Sequence, residues 1–195
     1  MTLALIVGVF LVLLLLGMDV AFAMIVASVV GFATRADPIG DAAMLPLTML
    51  TSVDSAALLS IPLFILAGEL MNAGGVTRRL VAWAMAFVGH FRGALSQVAV
   101  LTNLIMSGVS GSAVADATAV GTTLIPQMQK EGYRQGYPGA VIAAAAMLGP
   151  IIPPSIPMVI YAVVANQSLI KIFLGGIVPG LLLALGYMVI CRFVA

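Results

Sequence analysis

The sequence predicts an all-α polytopic membrane protein, and three observations carry that prediction. Hydrophobic residues make up 63% of the 195 and charged residues 8%, with a mean hydropathy of +1.22; no soluble fold of this size has enough interior to hide so much apolar surface. The apolar residues fall in runs of helical-span length separated by short polar stretches. Two of the runs are interrupted by helix-breaking segments, Ser107-Gly108-Val109-Ser110-Gly111-Ser112 and Gly149-Pro150-Ile151-Ile152-Pro153-Pro154-Ser155-Ile156-Pro157. In lipid every backbone N–H and C=O needs an internal partner, so broken helix is tolerated at membrane depth only where it is buried in protein or lines a cavity. Each break is therefore a candidate binding site.

The formal net charge is +1, from eight Lys+Arg against seven Asp+Glu, which argues against nucleic acid or a strongly acidic partner. The single cysteine, Cys191, sits near the end of the last apolar run and reads as a small buried hydrophobe. Residues 2–16 imitate the apolar core of a signal peptide, but no Lys or Arg precedes them, so the reading is a membrane span.

From the N-terminus, residues 2–32 are apolar apart from Asp19. One straight helix of that length would measure roughly 45 Å against a hydrocarbon core of roughly 30 Å. Gly17-Met18-Asp19 is the plausible turn, giving two short spans at 2–16 and 20–34, with a single tilted helix as the alternative. Asp19 is then a turn or interface residue. Residues 35–54, with Asp37-Pro38, Asp41 and Pro46, read as a loop with an interfacial turn. Residues 55–72 form a third span kinked at Pro62, with Glu69 near its end at the interface, stopped by Ala73-Gly74-Gly75.

Residues 76–92 are too short in apolar content to cross. Arg78, Arg79 and Arg92 with Trp83, Phe87 and Phe91 suit an arm helix lying in the membrane interface, where His90 is an interfacial histidine rather than a proton relay. Residues 93–106 and 113–125 then read as two helical arms of about 14 residues, roughly 21 Å each, joined by the Ser/Gly tip and ended by Pro126. Both feet are basic, with Arg92 on one side and Lys130 and Arg134 on the other, so the pair reads as a re-entrant hairpin with both feet cytoplasmic. Residues 137–166 form a discontinuous helix, because four prolines within eight residues cannot continue an α-helix. Residues 169–195 are a final span. With the N-terminus outside, Arg78, Arg79, Arg92, Lys130, Arg134 and Arg192 fall in the cytoplasm and Arg35 and Lys171 outside, the expected sign.

A hairpin tip and an unwound helix meeting at mid-membrane bring helix ends, carbonyls and hydroxyls into one small volume. Carbonyl ends with Ser or Thr oxygens suit a bare Na⁺, and helix N-termini suit a substrate carboxylate. Ser110 and Ser112 stand on either side of Gly111, and Asp116 lies one turn into the second arm, placed to complete a cation site, cap the arm or pair with a hydroxyl. The bland alternative is helix packing, since Gly108-x-x-x-Ser112 is also a small-xxx-small pattern. The second break some 40 residues on favours the binding reading.

The chain resembles the large membrane subunit (DctM-like permease) of tripartite ATP-independent periplasmic, or TRAP, transporters in the ion-transporter superfamily. The resemblance rests on Ser60-Ile61-Pro62-Leu63-Phe64 through Gly68-Glu69, on the stretch from Ser107 to Asp116, on the stretch from Gly149 to Ser155, and on Gly175-Gly176-Ile177-Val178-Pro179-Gly180. It implies an elevator-type secondary transporter repeat in a bacterial inner membrane, multi-pass, importing carboxylate solutes such as C4-dicarboxylates or sialic acid with the Na⁺ gradient. A periplasmic binding protein would deliver substrate and a small four-helix membrane subunit would extend the scaffold. By similarity, residues 1–92 are scaffold spans and arm helix, and residues 93–168 belong to the transport domain, with the hairpin at 93–127 and the broken helix at 137–166. Residues 169–195 are the final span. The Na⁺ site would be formed by Ser107, Gly108, Ser110, Gly111, Ser112, Gly149, Pro150, Pro153 and Ser155, with Ser110, Ser112 and Asp116 toward substrate or ion and no other cofactor. Family members carry a second, inverted repeat, so the expectation is that this chain is a fragment or a truncated product.

Two rival readings are weaker. Gly108-Val109-Ser110-Gly111 resembles the G-x-S-G of rhomboid-like serine proteases, but the sole histidine, His90, lies at the interface, and Ser112 stands where a G-x-S-x-G elbow needs glycine. A channel of opposed half-helices would be expected to show a ring of charges, which the Pro-rich break lacks.

Overall fold

The computed structural model describes residues 2–34, 46–51 and 55–194, and the chain divides into two units, Met1–Ser55 and Ala56–Ala195. In the first, α1 (Thr2–Leu15) and α2 (Val20–Ala33) fold back on each other. The turn is a Schellman stop: Gly17 takes φ +82°, its N–H donates to Leu14 O at 3.0 Å, and Met18 N–H donates to Leu13 O at 3.1 Å. Asp19 then caps α2, its Oδ1 accepting from Ala21 N at 2.9 Å. The two-helix reading therefore holds and the single tilted helix does not. Ala23, Ala27 and Gly31 form the buried stripe of α2, and a Cβ on Gly31 would lie 2.6 Å from Ile6 Cδ1, so small residues set the closeness of the pair. Most of the interfacial loop expected at 35–54 lies outside the described residues; residues 46–51 within it are helical.

The second unit begins with α3 (Ala56–Ala73), which contains Pro62, and α4 (Val76–Val88). The two are bent by 72° about Gly75, whose φ of +72° admits the turn. The face of α4 bearing Thr77, Val81, Ala84 and Val88 is buried. Arg78, Arg79, Trp83 and Phe87 are exposed, with the last two rings 4.4 Å apart. α5 (Ala94–Ser110) and α6 (Ala113–Lys130) form the hairpin, followed by α7 (Tyr137–Ala146), α8 (Ile156–Val164) and α9 (Leu169–Val194).

α5 is the centre of the core. Leu95, Val98, Ala99, Val100 and Met106 pack with Val120, Leu124 and Met128 of α6, Ile142 and Ala145 of α7, and Ala184 and Cys191 of α9. Among its buried polar residues, Asn103 Nδ2 donates to Ala99 O at 2.8 Å and Gln97 Nε2 donates to Met188 O at 2.7 Å, fastening α9 to α5, while Ser96 Oγ, Thr102 Oγ1 and Asn103 Oδ1 have no hydrogen-bond partner. α9, at 26 residues, is the one helix among those described that is long and apolar enough to cross a membrane by itself; α1, α2, α5 and α7 are apolar but shorter.

Three boundaries differ from the sequence expectation. α5 continues through Ser107 and Gly108 to Ser110, so the tip is Gly111-Ser112 alone and the arms have 17 and 18 residues rather than 14. Ser107 is buried and its Oγ donates back to Leu104 O at 2.7 Å, which offsets the weak helix propensity of Ser there. Pro126 does not end the second arm but lies inside α6, at an exposed position, where having no N–H it cannot make the helical bond to the Thr122 carbonyl. Pro157 is in the first turn of α8, where a missing N–H costs nothing, so the break spans residues 147–155.

Candidate functional site

The hairpin tip is built from two caps placed end to end. Gly111, at φ +59°, closes α5, its N–H reaching Ser107 O at 3.3 Å. Ser112, extended at φ −130°, opens α6 and accepts from Ala115 N at 3.4 Å through Oγ. Between them Ser110 Oγ accepts from Ser112 N at 3.2 Å and donates to Asp116 Oδ1 at 2.5 Å. The hydroxyl thus ties the tip to the first turn of α6.

The break follows the same logic in another chemistry. Ile151 and Ile152 N–H groups both converge on Leu148 O, at 3.0 and 2.8 Å, and a cis bond joins Pro153 to Pro154. Ser155 then caps α8, its Oγ accepting from Met158 N at 3.4 Å and donating to Pro150 O at 2.6 Å. The chain turns without leaving these groups unpaired.

Tip and break interlock. Ile156 N–H donates to Gly111 O at 3.4 Å. A Cβ on Gly111 would lie 2.7 Å from Pro154 O, and one on Gly149 would lie 3.1 Å from both Asp116 Oδ2 and Ala113 N. Gly108 faces Pro153 O, 4.0 Å from its Cβ position, and Gly68 of α3 backs Ser110, 3.5 Å from Ser110 Cβ. The N-termini of α6 and α8 therefore lie side by side against the C-terminal turn of α5, with partial positive charge from the first two and carbonyl oxygens from the last. From behind, α9 seats the break: Cβ atoms on Gly176 and Gly180 would meet Ile151 O and Ile152 Cγ1, each at 2.5 Å.

All the residues named from sequence thus gather at one locus, with differing freedom. Ser107 and Ser155 are buried with their hydroxyl protons given to backbone carbonyls, so each offers only lone pairs. Pro150 O is taken by Ser155, whereas Pro153 O faces Gly108. Ser112 is half-buried and Ser110 buried. Asp116 is 0% exposed and its Oδ2 has no hydrogen-bond partner. A buried carboxylate oxygen left unpaired is costly unless a cation or a proton neutralises it. Among the described residues no three His, Cys, Asp or Glu side chains cluster to hold a metal, so a cation here would meet carbonyls, hydroxyls and one carboxylate, the ligand set of a hard ion.

Sequence reasoning missed the neighbouring cleft. A cavity of about 1060 Å³ lies beside the tip between α3, the start of α4, and α6; Ser110, Ser112 and Ile156 border it together with Glu69, Asn72, Arg78, Thr118 and Thr122. The available signal was the spacing: Glu69 and Asn72 stand three apart and Thr118 and Thr122 four apart, each pair on one helix face.

The sequence profile described as the tripartite ATP-independent periplasmic transporter, DctM component, matches residues 7–195. The chain belongs to the TRAP transporter large permease family. It is similar to the sialic acid TRAP transporter large permease protein SiaM of Vibrio cholerae, 41% identical over 93% of this chain and 42% of the relative. It is also similar to the 2,3-diketo-L-gulonate TRAP transporter large permease protein YiaN of Escherichia coli, 44% identical over 73% of this chain and 34% of the relative. A third relative is the C4-dicarboxylate TRAP transporter large permease protein DctM of Pseudomonas aeruginosa, 46% identical over 71% of this chain and 32% of the relative. The chain spans less than half the length of these curated relatives. These relatives are permeases rather than enzymes; in this chain Ser110 is bonded to Asp116, and the tilted rings of His90 and Phe91 lie 4.1 Å apart.

Proposed function

We propose that this TRAP permease chain forms the half of a Na⁺-coupled secondary transporter that holds an ion between the hairpin tip and the broken helix. The observation that carries the reading is the buried Asp116 carboxylate, one oxygen bonded to Ser110 and the other without a partner beside Gly149. A Na⁺ taken up from Ser110, Ser112, the end carbonyls of α5 and the Pro153 carbonyl would neutralise that carboxylate and bridge tip to break. The solute is an organic acid anion, drawn to the adjoining N-termini of α6 and α8; the three similar permeases, named for sialic acid, diketogulonate and C4-dicarboxylates, support a carboxylate.

In this reading residues 93–168 move as the transport part and residues 1–92, with the interfacial α4, belong to the scaffold. The chain lies in the bacterial inner membrane and works with a small membrane subunit and a periplasmic binding protein. Exposed Leu, Val, Ile and Phe side chains along α9, Leu174, Leu182, Leu185 and Phe193 among them, support a lipid-facing surface.

The test is Na⁺-dependent thermal unfolding of the purified chain in nanodiscs. The expected result is a saturable rise in unfolding temperature with Na⁺, absent with K⁺ and lost in Asp116→Asn. A rise produced equally by lowering the pH, with no Na⁺ selectivity, would replace Na⁺ by a proton at Asp116. No effect of either in a folded sample would refute the site.

A further inference from the structure

We infer that the cleft beside the tip is a subsite for a polyhydroxylated monocarboxylate, the chemistry of a sugar acid, rather than for a dicarboxylate; the inference rests on the transport reading above. Size is the first argument. The cleft, at about 1060 Å³, is at the upper end of the range of roughly 300–1,000 Å³ typical of small-molecule sites, and a four-carbon diacid would leave most of it to water.

Charge is the second. Arg78 and Glu69 both line the cleft and Arg78 has no ion-pair partner among the described residues, so its guanidinium fork is free for one carboxylate. Nothing else on the lining is cationic, and a second carboxylate would face Glu69. A like charge without a counter-ion discriminates against the dianion.

The third argument is the direction of the hydrogen bonds. Thr118 Oγ1 already donates to Val114 O at 2.8 Å and Thr122 Oγ1 to Ala119 O at 3.1 Å. Both hydroxyls therefore present lone pairs to the cleft, and Pro126, having no N–H, leaves the Thr122 carbonyl as another acceptor on the same wall. Across the cleft, Glu69 of α3 adds two carboxylate acceptors beside Asn72. Acceptors want O–H donors, which a polyol has and a carboxylate lacks. The donors are on the α3 and α4 side: Arg78, and the amide of Asn72, whose Oδ1 is occupied by the Thr77 hydroxyl at 2.7 Å, so that its N–H₂ group is what it offers a ligand. One acid group at Arg78 and Asn72 with hydroxyls along Thr118, Thr122 and Glu69 satisfies both walls at once.

The experiment titrates the purified chain in nanodiscs, with Na⁺ present, against gluconate, succinate and sorbitol, reading heat and unfolding temperature. Gluconate is expected to bind saturably, succinate to need at least about tenfold more, and sorbitol to give no response at the gluconate midpoint. Arg78→Gln should abolish gluconate binding and Arg78→Lys should retain part of it. Thr118→Val with Thr122→Val should weaken gluconate about tenfold or more, and Glu69→Gln should narrow the gap to succinate. The ligand-free unfolding temperature of each variant reports whether it folds, and the lysine variant serves if the glutamine one does not. Succinate binding as tightly as gluconate, or gluconate binding unchanged in a folded Arg78 variant, overturns the proposal. No gluconate response while the Na⁺ response is intact overturns the cleft and leaves the ion reading standing. Gluconate binding that Arg78→Gln removes, in a chain indifferent to Na⁺, keeps the cleft and removes the ion reading.

Discussion

Gly111→Ala tests whether tip and break are one structural unit. The position has two separable demands. Its φ of +59° costs an L-residue about 1–2 kcal/mol. An added Cβ would also lie 2.7 Å from Pro154 O, 3.2 Å from Ile156 N and 3.2 Å from Ser155 Cα; these are backbone atoms that cannot rotate away, and forced shifts of this kind cost about 1–3 kcal/mol. The total is about 2–5 kcal/mol. Gly132→Ala supplies the control, because Gly132 also has positive φ, +82°, with nothing near its Cβ position, so it should lose only the first part. Gly108→Ala should be neutral or slightly stabilising, as it lies within α5 with its nearest contact at 4.0 Å. The assay is reversible denaturation in mixed micelles, or unfolding temperature in nanodiscs where reversibility fails. The difference between Gly111→Ala and Gly132→Ala isolates the packing of tip on break. If the two variants lose the same stability, the interlock is absent and the candidate site has no walls.

The remaining predictions concern the same locus. Ser110→Ala removes the donor to Asp116 Oδ1 and leaves both oxygens of a buried carboxylate unpaired, so it should cost about 1–3 kcal/mol and raise the Na⁺ concentration at the stabilisation midpoint. Asp116→Asn removes the charge, and it should abolish the Na⁺ response while leaving the unfolding temperature without Na⁺ within a few degrees of the parent, as circular dichroism melts would show. Gly176→Ala, whose Cβ would meet Ile151 O at 2.5 Å, should destabilise by about 1–3 kcal/mol, whereas Gly175→Ala, with nothing within 4 Å, should not; their melting curves compared directly decide whether α9 seats the break.

Much of this fold was legible because it is written in local terms. Gly17-Met18-Asp19 carries both a helix stop and a helix start, and the structure uses it for both. The aromatic and basic spacing of α4 and the proline density of the break likewise act within a few residues of themselves. The tip was drawn too wide because propensity counts Ser107 and Gly108 as breakers, while the burial of Ser107 and its bond to Leu104 O carry α5 on through both. Pro126 misled for a different reason: an exposed proline inside a helix loses one hydrogen bond, which the rest of α6 tolerates. The docking of Gly111 on Pro154, and of Gly176 and Gly180 on residues 151 and 152, joins segments tens of residues apart, which spacing alone does not encode. The threonine wall of the cleft was hidden in plain composition, since threonines four apart on a helix are as common in packing as in binding.

The geometry of Asp116 links stability to the proposed ion binding in one step. Its unpaired oxygen lies beside Gly149, and its bonded oxygen is held by Ser110, the residue that also receives the Ser112 N–H. On the proposed ion reading, a cation there would relieve the buried charge and draw the first turn of α6, the end of α5 and the break toward a common centre. Without it, the carboxylate faces the carbonyl-rich crevice alone, and the contact between tip and break is the cheapest place for that repulsion to be released. On the proposed ion reading, occupancy and closure of tip on break would be two descriptions of one equilibrium. Mass action requires Na⁺ at a hundred times its dissociation constant to stabilise the closed form by about 2.7 kcal/mol, the same order as the packing that Gly111→Ala removes. Gly111→Ala should therefore weaken Na⁺ binding although its side chain carries no ligand, and Na⁺ should in turn recover part of the stability the substitution loses. A Gly111→Ala chain that binds Na⁺ as tightly as the parent would separate the ion from the interlock.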